Sequence, residues 1–430
     1  MIPLHPKNLF PIKITPVDGK EIDVSNLFRE VHIHENLFEN FVTGYMDLID
    51  TPETRLVLQG LSGIGDEISF SFSGTDSSGN PEPSINIKML IYRIEASGQS
   101  GAASQLLTIH FSTNSFLKHE VVSIQEQFNG KISDIIKKLA ARTGINKIEI
   151  EESDQSLIRV FNFSNPIKII NDLTRMCGKG NDFNFIFYST IDGLYRLISI
   201  ATLMKAPSKW GSNSKNGFVV SLAYRNLSSE EKKRMVLAHN VSSLSPVLNS
   251  HNGMVASSVL TVDVIDKTYT ETYFSIKDDF KKQTHLSDKP LANLDSEYIQ
   301  SIVDSPTIST TRYKSRYLFD CEEEKEGQDQ IGGNKDWLLK RTSQIEQLNQ
   351  LSIVFKIPGN SVIRAGDVFF FGRPINEYLA NKSKNGKKEK DIQYSGKYLC
   401  TSVKHSIQFN KNIPEYVTII KGIKDSKGSE

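Results

Sequence analysis

Three groups of residues in this chain have types and spacings that could do chemistry. His32 and His34 stand two residues apart. On an extended strand their imidazoles share a face about 7 Å apart, near enough to be weighed as a metal pair. They also alternate with Val31 and Ile33, and that pattern describes the solvent face of a half-buried strand. The strand reading is the simpler one. Asp47, Asp50 and Glu53 gather near one strand end. Two carboxylates across a cleft would equip a glycosidase, yet nothing in their order sets two of them across a cleft. His405, in Lys404-His405-Ser406, carries the side chain suited to proton transfer near neutral pH. Its setting reads as a half-exposed strand or interface histidine.

Catalytic signatures do not emerge elsewhere. The pairs Gly19-Lys20, Gly130-Lys131, Gly178-Lys179, Gly386-Lys387 and Gly396-Lys397 each lack the Ser or Thr that follows in a phosphate-binding loop. Gly60-Leu61-Ser62-Gly63-Ile64-Gly65 has its second glycine one residue early for a nucleophile elbow. Cys177, Cys321 and Cys400 are odd in number and widely spaced, with no CxxC; they read as buried thiols of a reducing compartment. The expectation is no catalytic residue, no cofactor-binding residue and no metal ligand.

Composition narrows the class. The 430 residues are too many for one core and point to roughly two to four domains. Lys and Arg total 51 against 50 Asp and Glu, a net charge of +1. That balance argues against nucleic acid as the main partner, which would need an excess of cations. No secretory signal is visible in Met1–Lys7, and the longest apolar runs, such as Phe183–Tyr188, are far too short to span a bilayer.

The elements that must position these groups are mainly strands. Residues to about 115 alternate as β: Glu30–Glu35, Phe41–Ile49 with Gly44 as a candidate bulge, then Ile68, Phe70 and Phe72 on one face, and strands near 87–95 and 105–112. The pattern then changes. Ile132, Ile135, Ile136 and Leu139 recur at helical spacing before Gly144, placed for a C-cap. Asn165-Pro166 opens a second helix, with Asn as N-cap and Pro at the first helical position. Its stripe runs from Ile169 to Met176 or Cys177, with Gly178 as its end. Phe183–Tyr188 and Leu194–Ile200 flank the turn Ile191-Asp192-Gly193. From about 217 the β pattern returns with Phe218–Ala223 and Val255–Val264. A polar stretch follows from 275 to 335. A helix around Trp337–Leu348 then leads to the strand Ser352–Ile357. Phe369–Phe371 reads as a strand buried on both faces, one against a core and one against a neighbouring subunit. Asn381–Lys390 is a Lys-rich loop, and the tail after Gly422 reads as polar and mobile.

One pattern occurs twice. Gly65-Asp66 feeds the strand Glu67–Phe72, and Gly366-Asp367 feeds Val368–Phe371. Each strand is followed by a long polar loop and two more strands. This reads as a duplicated β-module whose two copies should match strand for strand.

Taken in order, these segments resemble the baseplate hub proteins of contractile phage tails, which are related to the hub part of type VI secretion spike proteins. The likeness is carried by Val31-His32-Ile33-His34-Glu35, Thr43–Asp50 and Gly65–Ile68; by Asn165–Ile170 with Asp192–Ile200; by Lys356–Ser361 with Ala365-Gly366-Asp367; and by Gly396-Lys397-Tyr398 with Val403-Lys404-His405. It implies a mainly β chain: two tail-tube-like antiparallel β-barrel domains plus an inserted α+β domain. The expected division is residues 1–115 for barrel domain I, 116–215 for the insert, 216–275 and 336–423 for the two parts of barrel domain II, 276–335 for a loop-rich connection and 424–430 for a flexible tail. The implied protein is a homotrimer whose six barrels form a pseudo-six-fold ring between the tail tube and a central spike. Its implied partners are a spike protein, a tube or tube-initiator protein and baseplate wedge proteins. It would contact neither membrane nor specific nucleic-acid sequence, leave a lumen for DNA, and sit in the virion baseplate after assembly in the host cytoplasm. The hub of a phage-derived bacterial injection machine fits the same residues. A cell-wall-binding or cell-wall-degrading tail component is the reading from another class. No spike segment or lysozyme-like stretch follows residue 422, and the 373–395 insertion has no counterpart in the pattern.

Overall fold

The computed structural model describes residues 11–50, 61, 63–74, 80–99, 105–211, 217–220, 228–243, 246–263, 267–304, 306, 309–313, 335–373, 393–410 and 413–428. The Lys-rich loop, Glu53 and Cys321 lie outside them, as does the side chain of Asp50.

The chain is mainly β, as expected, and thirteen of its strands join in one sheet. Two sets of five strands repeat the same order. Taken from the strand that comes first in the chain, the first set is Phe28–Asn36, Thr43–Asp50, Gln105–Ser112, Ile85–Gln99 and Glu67–Phe72. The second is Ala238–Ser243, Leu351–Pro358, Ile413–Lys424, Gly396–Asn410 and Val368–Gly372. All pairings within the two sets are antiparallel. The fourth strand of each set is 15 residues long and has a bulge at the matching place, Tyr92 in one and Thr401 in the other. The repeat therefore holds strand for strand.

Among the described residues no set closes into a barrel by itself. The edge that closure would use is taken by the other set: Ser402–Gln408 pairs antiparallel with Glu30–Asn36 and makes the two modules one sheet. Each module has its own core. The first gathers Ile33, Met46, Ile68, Phe70, Phe72 and Phe111; the second gathers Phe218, Phe355, Phe369, Phe371 and Tyr398.

Gly44 is not a bulge. Its pairing is regular, and a Cβ there would collide with the Phe111 ring, so the missing side chain makes room for the core. Val368–Gly372 is buried throughout, as expected. Its second face, however, is covered by this chain's own insert: Val368, Leu399 and Ile423 pack with Tyr188, Ile200, Leu203 and Met204.

The insert forms as its local signals dictate. Ile132–Arg142 ends in a Schellman arrangement, with Ile145 N–H donating to Ala140 O at 3.0 Å, Gly144 N–H to Ala141 O at 3.1 Å, and Gly144 at φ +82°. The Asn165 side chain accepts from Ile167 N–H at 2.9 Å and caps Pro166–Thr174. That helix stops at Thr174, before Gly178. Phe185–Ser189 and Tyr195–Ser199 make the expected hairpin.

Two segments depart from their sequence reading. Ala256–Asp263 does not join the large sheet; it pairs with Thr268–Ser275 and, in parallel, with Ser309–Tyr313. Helices Glu297–Asp304 and Lys335–Leu348 pack there around Val259, Phe274, Ile299, Ile302 and Leu339. The supposed mobile tail begins buried. Lys424 Nζ donates to Ser395 O at 2.6 Å, Asp425 meets His285 at 2.7 Å, and Ser426 accepts from Ser287 N–H at 2.7 Å. Its polar residues signalled solvent, but Lys424, Asp425 and Ser426 have partners supplied by other segments.

Candidate functional site: the junction between the modules

The two Gly-Asp turns are built alike. Gly65 and Gly366 adopt φ of +87° and +89°, a region that favours glycine. Gly65 N–H donates to Ile91 O at 3.1 Å, and Ile91 N–H returns a bond to Asp66 O at 2.7 Å. Gly366 N–H donates to Cys400 O, and Cys400 N–H to Asp367 O, both at 2.8 Å. In each turn the Asp carboxylate reaches back three residues. Asp66 accepts from Gly63 N–H at 3.1 Å and Asp367 from Arg364 N–H at 3.0 Å. The turns thus anchor each module's shortest strand to its longest.

The second turn also holds the modules and the insert together. Glu35 follows Val31 and Ile33 in the inward phase of its strand and is fully buried. Its carboxylate accepts from Ile191 N–H of the insert at 2.7 Å and from Ala365 N–H of the second turn. Burial pushes its pKa up to about 7, against the opposing pull of Arg364 and the two N–H donors. One side chain so ties three parts of the chain.

The seam continues along the shared strands. His405 is buried, not half-exposed. Its Nδ1 pairs with the Tyr416 hydroxyl at 2.8 Å, and that hydroxyl donates to Asn360 O at 3.0 Å. The Phe72 ring of the first module meets both His405 and Tyr416 edge-on, at 5.7 and 5.4 Å. Burial lowers the His405 pKa to about 3, so the ring is neutral at neutral pH and fitted to packing, not to proton transfer. Nearby, Glu82 of the first module accepts from Ser361 N–H at 2.8 Å and from its hydroxyl at 2.9 Å.

The outward face of the joined strands is a polar mosaic. His32 and His34 lie on it, but His32 is buried and not on a solvent face, because strands flank it on both sides and the Tyr45 ring lies 4.7 Å away. Burial, with Lys404 next in effect, lowers its pKa to about 4; the same two causes lower that of His34. Lys404 Nζ stands 5.7 Å from the Tyr45 ring centre. Asp47 accepts from the Thr108 hydroxyl at 2.7 Å and faces Glu30, whose pKa is raised by burial and then by Asp47. Glu95 meets Arg93 and His110. Among the described residues no three His, Cys, Asp or Glu side chains cluster as a metal site. Cys177 and Cys400 are buried, and burial drives both thiols upward, Cys177 to about 12. No described helix is long and apolar enough to cross a membrane.

Sequence reasoning passed over Glu35, Glu82 and Tyr416. Glu35 left one signal, an acid in the apolar phase of an alternating strand; Glu82 and Tyr416 left none, since their partners lie 279 and 56 residues away.

No protein-family model matches the chain, and a search of curated proteins finds no match. Solved structures do resemble it. The 43 kDa tail protein of prophage MuSo2 from Shewanella oneidensis matches with a TM-score of 0.52 at 11% identity, over 96% of this chain and 98% of that one. A tail protein from Neisseria meningitidis MC58 matches with a TM-score of 0.51 at 9% identity, over 96% of each chain. The likeness is one of fold, and it runs nearly end to end.

Proposed function

We propose that a chain with the fold of phage tail proteins, built from two copies of one β-module, serves as a structural hub of a contractile tail baseplate. Three chains would place six equivalent modules in a ring, matching a six-fold tube on one face and a three-fold spike on the other. The observation that carries this reading is the repeat: the modules share strand order, chain order, bulge position and turn hydrogen bonds. An adaptor between three-fold and six-fold partners requires such near-equivalence within one chain. The chemistry fits a scaffold. The buried histidines are neutral, the thiols are held protonated, and the carboxylates at the junction accept hydrogen bonds from backbone and hydroxyl groups. The partners are then a tube component, a spike protein and wedge proteins, and the place is the virion tail.

Mass in solution tests this. Three chains of 48.3 kDa give a particle of about 145 kDa by light scattering. A monomer that persists at high concentration, both alone and with its spike, would overturn the reading.

A further inference from the structure

The internal repeat also says which edges meet between chains, given the hub reading on which this inference rests. Within one chain, the fourth strand of the second module offers its edge after the Thr401 bulge, and the first strand of the first module fills it. The register sets Lys404 opposite His34 and His405 opposite Ile33. The fourth strand of the first module has the same edge after its bulge at Tyr92, and no described strand pairs with it. Conversely, Ala238–Ser243, the counterpart of Phe28–Asn36, ends the sheet among the described strands and pairs there with Leu351–Pro358 alone. Among the described residues, one edge of each of these two strands is thus left without a partner strand.

The repeat supplies the register. Ile91 and Cys400 each close their Gly-Asp turn and precede the bulge, which aligns Glu95 with Lys404 and Ala96 with His405. Gly44 and Ile353 stand opposite the equivalent residues Phe111 and Gly422, and their own partners are Ile33 and Val241. Val241 is therefore the counterpart of Ile33, and Ser242 that of His34. We propose that Ile94–Ser97 of one chain pairs antiparallel with Asn240–Ser243 of the next. Glu95 then lies opposite Ser242, and Ala96 opposite Val241.

The composition of the two edges agrees. Arg93, Ala96, Asn240 and Ser242 are exposed. The four opposed pairs place no like charges together, which would disfavour pairing. An interface joining two different edges runs head to tail and closes when the rotation per joint divides the circle. Here it would repeat between chains the joint already made within each. Pairing would also remove the open edges that invite unspecific strand addition.

Cysteine cross-linking tests the register. Directly opposed antiparallel residues bring their Cα atoms to about 4.5 or 5.5 Å in alternation, within the span of a disulfide. Two double variants, Glu95→Cys with Ser242→Cys and Ala96→Cys with Val241→Cys, sample both kinds of pair in a Cys321→Ser background. Each is compared with its single variants, and circular dichroism checks that each remains folded. With an added oxidant, at least one double variant should give a covalent ladder ending at three chains on a non-reducing gel, and the single variants should give none. Folded trimers of about 145 kDa in which neither pair cross-links would overturn this pairing and leave the hub reading intact. Monomers without a ladder would overturn both. A ladder running past three chains would uphold the pairing and overturn the three-chain ring.

Discussion

Glu35 is the residue on which most of the chain converges. It is buried, it holds N–H groups from two other segments, and its pKa stands near 7. The sign of its effect follows. A carboxyl whose folded pKa is raised binds a proton in the native state that the unfolded chain has lost. Its contribution is full below the unfolded value of 4.5 and is lost as pH rises through about 7. His405 and His32, held at about 3 and about 4, work in the opposite sense: their stabilising contribution is present above the ordinary histidine value and lost as pH falls. The difference between wild type and Glu35→Gln isolates the carboxyl. We expect wild type to lose stability relative to the variant by up to a few kcal/mol between about pH 4.5 and 7.5, at about 1.4 kcal/mol per pKa unit. Urea midpoints across that range would read it, and parallel curves would refute it.

At the scale of elements, the two Gly-Asp turns share a hydrogen-bond pattern but differ in surroundings. A Cβ on Gly65 would find only Val17 Cγ2, at 3.7 Å, whereas on Gly366 it would meet the Tyr188 hydroxyl at 2.5 Å. Gly65→Ala should cost about 1–2 kcal/mol from left-handed backbone strain alone. Gly366→Ala should cost more, because Tyr188 is locked between the insert and the second module. Thermal unfolding of the two variants would compare them, and equal losses would show that the insert yields freely. Helix ends in the insert obeyed local rules legible in the sequence, since Asn165, Pro166 and Gly144 act on backbone groups a few residues away. The sheet of Ala256–Asp263 was not legible. Its third strand lies some 50 residues downstream, and Tyr269 and Tyr273, which look like core residues, are exposed.

For the whole molecule, the continuous sheet joins the two modules into one body, with two edges that no described strand fills. Amides of Ser402–Gln408 should therefore resist hydrogen exchange even in dilute single chains, because their partners lie in the same chain. Amides of Ala238–Ser243 that point to the open edge should exchange quickly in single chains and slow down on assembly. Exchange measured by mass spectrometry at low and high concentration would show this. Equal protection of both segments in the single chain would mean that the outer edge is already covered.

The order of amino acids alone determined the β character, the insert, its caps and the repeated Gly-Asp turns. Each depends on interactions within a strand, a helix end or a four-residue turn, which the local residues specify. Tertiary structure alone decided that the modules share one sheet and leave no described barrel closed. It also decided that His405 and His32 are packing groups, and that Glu35 is the common anchor. Those outcomes depend on contacts between residues hundreds of positions apart, such as Glu35 with Ala365. Two modules of one layout offer edges of one layout, so the pattern of either one says nothing of which partner fills it.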